Sequence, residues 1–274
     1  MNTRQETAGI LSAHPVSPEV RTRVLAELDD IEKRHDVRIL FACESGSRGW
    51  GFASPDSDYD VRFLYVHKLD WYLRVEAERD VIEVPIDNAL DISGWELRKS
   101  LQLLRRSNPT LFEWLDSPIV YRENAAVAHH LRALAPGFFS ERKSRWHYLS
   151  MAKRNFRGYL QGETVRHKKY LYVLRPLLAA QWVDAGRGMP PMRFAELADV
   201  MVADPDLRDE INALLAVKMA AGEAEHGLRY PLIHAFIERE LSVEQPPGEF
   251  RQAAGDDVTL DDFLKETILS ARGA

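Results

Sequence analysis

Two acids, Asp58 and Asp60, stand two residues apart at the head of an apolar run, eleven residues after Ser47 of a Gly46-Ser47 turn. On a strand, a spacing of two puts both carboxylates on one face. Carboxylates that close repel, and a divalent cation between them removes the cost. Magnesium prefers carboxylate oxygens and keeps part of its water, so substrate phosphates can join its coordination shell. Two such ions, with manganese as the substitute, lie about 3.5–4 Å apart when they activate an attacking hydroxyl and stabilise a leaving oxygen. The chemistry expected is transfer of a nucleotidyl group from a metal-bound nucleoside triphosphate, ATP among the candidates. A bare Asp-x-Asp is common as a loop acid followed by a solvent-facing strand acid. The Gly-Ser turn before it and the apolar strand after it favour the chemical reading.

A two-ion site wants a third carboxylate from a neighbouring strand, and Asp91, Asp87 and Glu83 are the candidates. Asp91 is preferred because it sits in the apolar run Ala89-Leu90-Asp91-Ile92, which an unpaired acid would weaken. Asp87 is the alternative. Gly46 lets the backbone approach a phosphate, and Ser47 offers both a hydroxyl and an N–H to it. Arg48 could neutralise a triphosphate or equally cap a surface acid. Further along, Lys168, Tyr172 and Arg175 share one face of a helical pattern. The two cations there could grip phosphates while the ring stacks on a base.

These side chains need strands to carry them. Ser17-Pro18-Glu19 reads as a helix start, with Val20, Val24, Leu28 and Ile31 on one face to about His35. Val37–Cys43 and Asp58–His67 read as strands flanking the turn, with further strands at Asp80–Val84 and Asn88–Ile92. Ser93 and Glu96 are spaced as a capping box opening the next helix. Trp95, Phe112 and Trp114 are expected to pack between two halves of the molecule. Helical patterns then dominate, including 140–161, 163–185 and 226–241, and Thr259 reads as the cap of a last helix. The fold expected is α+β, a mixed sheet with flanking helices over residues 1–121 followed by a helical bundle over 122–274.

Hydrophobic residues make up 45% and charged residues 28% of 274, enough for packed cores. No apolar run approaches the ~20 residues of a membrane span, and Met1-Asn2-Thr3-Arg4-Gln5-Glu6 lacks the apolar core of a secretory signal. The single cysteine, Cys43, excludes an internal disulfide and suits a cytoplasmic setting. It reads as a core residue. The net charge of −6 hides an asymmetry, because Glu141–Arg175 holds ten basic residues against two acids. Such an excess faces phosphates or an acidic partner.

Gly46-Ser47 followed by Asp58-x-Asp60 resembles the signature of the DNA polymerase beta-like nucleotidyltransferase superfamily. More narrowly, Asp91-Ile-Ser-Gly-Trp95-Glu-Leu-Arg-Lys99, Ser107-Asn-Pro109, Glu113-Trp-Leu115 and Ser117-Pro-Ile-Val-Tyr121 resemble its RNA repair pathway DNA polymerase beta family. Arg166-His-Lys-Lys169-Tyr-Leu-Tyr-Val-Leu-Arg175-Pro-Leu-Leu178 is similar to the helical half of that branch. The likeness covers about residues 37–240. It implies a polymerase-beta-like palm and a helical substrate domain, with Asp58, Asp60 and a third acid, here Asp91, on the metal and Ser47 on the triphosphate. It also suggests an RNA acceptor. Glu96 stands where that branch more usually has Asp. Two other readings share these residues: transfer to a small molecule or a protein side chain, and a catalytically silent nucleotide-binding module.

Overall fold

A computed structural model of the chain describes residues 15–76, 78–86, 89–220, 226–243 and 250–270. Asp87 lies outside them. The described residues form two compact units, each assembled from separated stretches of chain. A sheet unit takes Val16–Gly49, Asp58–Ser140 and the chain from Gln252, and a helical unit takes Trp50–Ser57 and Glu141–Arg251. This division differs from a single boundary at Tyr121, and local packing explains why.

The sheet unit opens with α1 (Pro18–His35), whose Ser17 side chain accepts the Val20 N–H at 3.2 Å and whose C-terminus turns at left-handed Asp36. Next come β1 (Val37–Glu44), the short α2 (Gly46–Trp50), β2 (Tyr59–His67), α3 (Leu69–Tyr72), β3 (Val81–Glu83) and β4 (Leu90–Glu96). After them follow α4 (Leu97–Arg105), α5 (Pro109–Leu115), β5 (Val120–Glu123) and α6 (Ala125–Phe138). Among the described residues the sheet has the order β3-β4-β2-β1-β5. It is mixed: β2 and β4 are parallel, while β1 pairs antiparallel with β2 and β5, and β3 antiparallel with β4. Val24, Leu28 and Ile31 of α1 share a core with Ile39, Val61, Phe63, Tyr65 and Ile92 of the strands. By alternation Asp60, Arg62 and Leu64 point to the other face.

The helical unit contains α7 (Glu141–Tyr159), β6 (Thr164–Arg166), α8 (Lys168–Asp184), α9 (Phe194–Met201), α10 (Pro205–Ala220), β7 (His226–Leu228) and α11 (Pro231–Ser242). α8 is its axis. Leu171, Val173, Leu174, Leu177, Leu178 and Ala180 are all buried, the pattern of a helix covered on every side. Phe52 joins this core and meets Phe194 edge-on at 5.8 Å, which is why Trp50–Ser57 belongs here. The chain finally returns to the sheet unit as α12 (Asp257–Ser270). There Phe263 packs on His130 of α6 at 4.7 Å, and Asp257 pairs with Arg105 of α4 at 2.8 Å. α6 in turn buries Ala128, Leu131 and Ala135 within the sheet unit, so residues 125–138 go with the sheet.

Several local expectations are corrected. Ser93 is not a cap but a strand residue paired with Arg62. Glu96 itself caps α4, its carboxylate accepting the Arg98 and Lys99 N–H groups. Thr259 lies inside the first turn of α12, where Asp256 Oδ1 accepts the Val258 N–H instead. The patterns at 163–185 and 226–241 each begin with a three-residue strand, and β6 and β7 pair with each other. Trp95 stacks on Trp114 at 3.9 Å and Phe112 meets Phe139 at 5.4 Å, all inside the sheet unit rather than between halves. Cys43 is buried as expected. No helix among the described residues is long and apolar enough to cross a membrane.

Gly94 shows how tightly β2 and β4 are matched. It pairs with Phe63, and a Cβ on it would lie 2.2 Å from the Phe63 ring. Gly94→Ala is expected to lower unfolding stability by about 1–3 kcal/mol through overpacking. Urea denaturation reads the change directly, and an unchanged midpoint would refute the close fit.

Candidate active site

Three strand ends of the sheet unit bring the site together. β1 ends in Glu44, and its chain turns at Ser45 and Gly46 into α2. The Ser45 N–H donates to Asp60 O at 2.8 Å, tying the turn to the head of β2. Gly46 has φ +55°, and a Cβ there would fall 1.9 Å from Asp60 Oδ2. Only glycine allows both the backbone conformation and this approach. The Gly-Ser turn therefore lies directly against the Asp60 carboxylate. Ser47 and Arg48 are buried, and the Arg48 guanidinium sits 3.9 Å over the Tyr59 ring.

The parallel pairing of β2 and β4 puts Asp60 opposite Asp91. Their side chains are 27% and 36% exposed. Between them lies Arg62, a residue that the sequence reading passed over. Its Nη2 donates to Asp60 Oδ1 at 2.8 Å and to Asp91 Oδ2 at 2.7 Å. Its Nη1 donates to Asp91 O at 2.8 Å and Val61 O at 3.0 Å. The signal was available: Asp60 and Arg62 are two apart and so share a face of the strand. Asp58 is exposed and precedes β2 by one residue. Glu83 is exposed at the end of β3, where it pairs with Arg79.

The chemistry of the donors suits a hard divalent ion, since all three site acids offer carboxylate oxygens. Their grouping does not match a cage for two ions. Among the described residues no three His, Cys, Asp or Glu side chains are placed to hold a metal together, and the Asp60–Asp91 gap is taken by a guanidinium.

A second residue missed in the sequence is Glu44, fully buried beneath the turn. Its Oε1 accepts the Asp60 N–H at 2.9 Å and its Oε2 accepts the Tyr121 hydroxyl at 2.6 Å. Burial pushes its carboxyl up to about 7, against the opposing pull of those two hydrogen bonds. An acid closing the apolar run Ile39–Cys43, two residues before Gly46-Ser47, was the available clue.

The residues expected to grip phosphates are placed differently. Lys168 is the half-buried first residue of α8. Tyr172 turns its ring edge to Trp50 at 5.5 Å. Arg175 is buried, with Nε and Nη2 both donating to Met192 O at 3.1 Å and its guanidinium 4.7 Å from the Trp50 ring. So engaged, Arg175 acts as a packing element of the helical unit. This geometry does not show the phosphate grip expected of it.

Comparisons with known proteins agree with the motifs. A family model described as the RNA repair pathway DNA polymerase beta family matches residues 20–266. The uncharacterized protein YcgL of Bacillus subtilis (strain 168) is 48% identical over 251 residues, 91% of this chain and 96% of that protein. A solved nucleotidyltransferase-like protein from Exiguobacterium sibiricum 255-15 is similar at 15% identity over 91% of this chain and 76% of its own, with a TM-score of 0.31. At that score the likeness carries no argument.

Glu44 makes stability pH-dependent. Its folded value lies above its ordinary 4.5, so the folded chain binds the extra proton between the two values and stability falls as pH rises through that window. The loss expected from this group is about 3 kcal/mol between pH 4.5 and 7. Glu44→Gln should flatten that part of the profile, read by urea midpoints across the window. Parallel profiles for the two proteins would remove the assignment.

Proposed function

Because the chain belongs to the RNA repair pathway DNA polymerase beta family, we propose that it is a nucleotidyltransferase. It moves a nucleoside monophosphate from a triphosphate such as ATP to a hydroxyl at an RNA end. The observation that carries this reading is the Gly46 turn lying against Asp60, with Asp91 in register beside it. A phosphate-binding turn and an acidic strand pair thereby share one place.

Asp58 and Asp60 would hold a magnesium ion, or manganese in its stead, which when bound supplies charge neutralisation to the triphosphate. The chain's own residues do the rest by positioning. Gly46 keeps side-chain bulk away from the turn, Ser47 offers donors to phosphate oxygens, and Asp91 completes the acidic face. The acceptor oxygen bonds to the α-phosphorus, the bond from that phosphorus to the bridging oxygen breaks, and pyrophosphate leaves. The acceptor's proton passes to solvent.

An RNA acceptor is supported by α7. Arg142, Lys143, Lys153, Arg154 and Arg157 are exposed along it, while its acid Glu141 is buried. Trp146 and Tyr159 expose their rings on the same helix at 51% and 49%, and Lys169 lies 4.0 Å over Tyr159. Cations interleaved with aromatic faces suit a single strand, whose phosphates and bases are both available.

Asp60→Asn is expected to lower pyrophosphate release at least about 100-fold while the circular dichroism spectrum stays unchanged. Retained turnover would exclude this site. Replacing Lys153, Arg154 and Arg157 with Gln should reduce the slope of log affinity for single-stranded RNA against log salt by about 2. Binding that ignores salt in the unaltered protein would instead favour a small-molecule or protein acceptor.

A further inference from the structure

We propose that Arg62 is the resident cation of the Asp60–Asp91 pair, so that the site takes one divalent ion and Asp91 is not a ligand to it. The inference rests on the nucleotidyltransferase reading and sharpens it. Strand pairing forces the two carboxylates together, and the guanidinium joins them through a single nitrogen, Nη2, at 2.8 and 2.7 Å. Two backbone carbonyls, those of Val61 and Asp91, hold Nη1 at the same time. The side chain is only 17% exposed. A planar fork with four such bonds is fixed in place rather than swung in from solvent.

A divalent ion in that gap would have to break these bonds and stand beside a guanidinium that cannot lose its charge. Arg62 therefore does for the Asp60–Asp91 pair what a second ion would do: it cancels the repulsion and fixes both carboxylates. It is a positioning residue, acting on the ion site through Asp60.

Equilibrium dialysis against manganese tests this, with bound ion counted by electron paramagnetic resonance, with and without a non-hydrolysable nucleoside triphosphate analogue. The protein alone and its analogue complex should each hold one ion beyond the protein-free chamber, and Arg62→Met should hold two with analogue. Asp91→Asn should leave the affinity of the single ion within about twofold. Two ions in the unaltered protein, or a tenfold weaker ion in Asp91→Asn, would overturn the inference and leave the nucleotidyltransferase reading standing. No bound ion under either condition would overturn both the inference and the metal dependence proposed above. The count in the unaltered protein decides the matter even if Arg62→Met fails to fold.

Discussion

The parallel pairing of β2 with β4 sets Asp60 beside Asp91, and the chemistry of the sheet unit is organised around the cost of that proximity. Two carboxylates about 5 Å apart, the spacing of adjacent strands, repel by on the order of 3 kcal/mol at an effective dielectric of about 20. Arg62 offsets it from within the same strand. Because its fork also bonds two backbone carbonyls, the compensation adds rigidity as well as charge. The acids are therefore held in place by the fold itself, before any ligand arrives.

Beneath them lies a second, quieter constraint. Glu44 is buried, yet it receives the Asp60 N–H on one oxygen and the Tyr121 hydroxyl on the other. It links the last residue of β1 to the head of β2 and to β5. The Gly46 turn rests on that link and presses against the Asp60 carboxylate from above. One turn, one buried acid and one arginine thus determine where a single aspartate stands.

Much of this was legible in the sequence. The α+β class, the strands around the Gly-Ser turn and the first helix followed from apolar spacing and caps, and the family followed from the motifs. What was missed has physical reasons. Ser93 and Glu96 imitate a capping box, but the tertiary ladder with β2 extends β4 to Glu96 and leaves that residue to cap α4 alone. The β6–β7 pair is too short to register against helical patterns on either side. Arg62 was absorbed into an apolar run, although its alternation with Asp60 marked it. Arg175 shares a helical face with Lys168, but spacing does not tell whether a face meets solvent or a tryptophan. A linear boundary at Tyr121 could not express a unit that the chain leaves after Gly49 and re-enters twice.

That discontinuity governs how the molecule can be taken apart. A fragment stopping at residue 140 would hold every sheet strand yet lack α12, which lies against α4 and α6 through Asp257 and Phe263. It would also carry Trp50–Ser57 without Phe194, which meets the Phe52 ring edge-on and comes much later in the chain. Neither unit can be excised by a single cut. Isolating the sheet would take circular permutation, with a synthetic bridge replacing the eight residues that leave it.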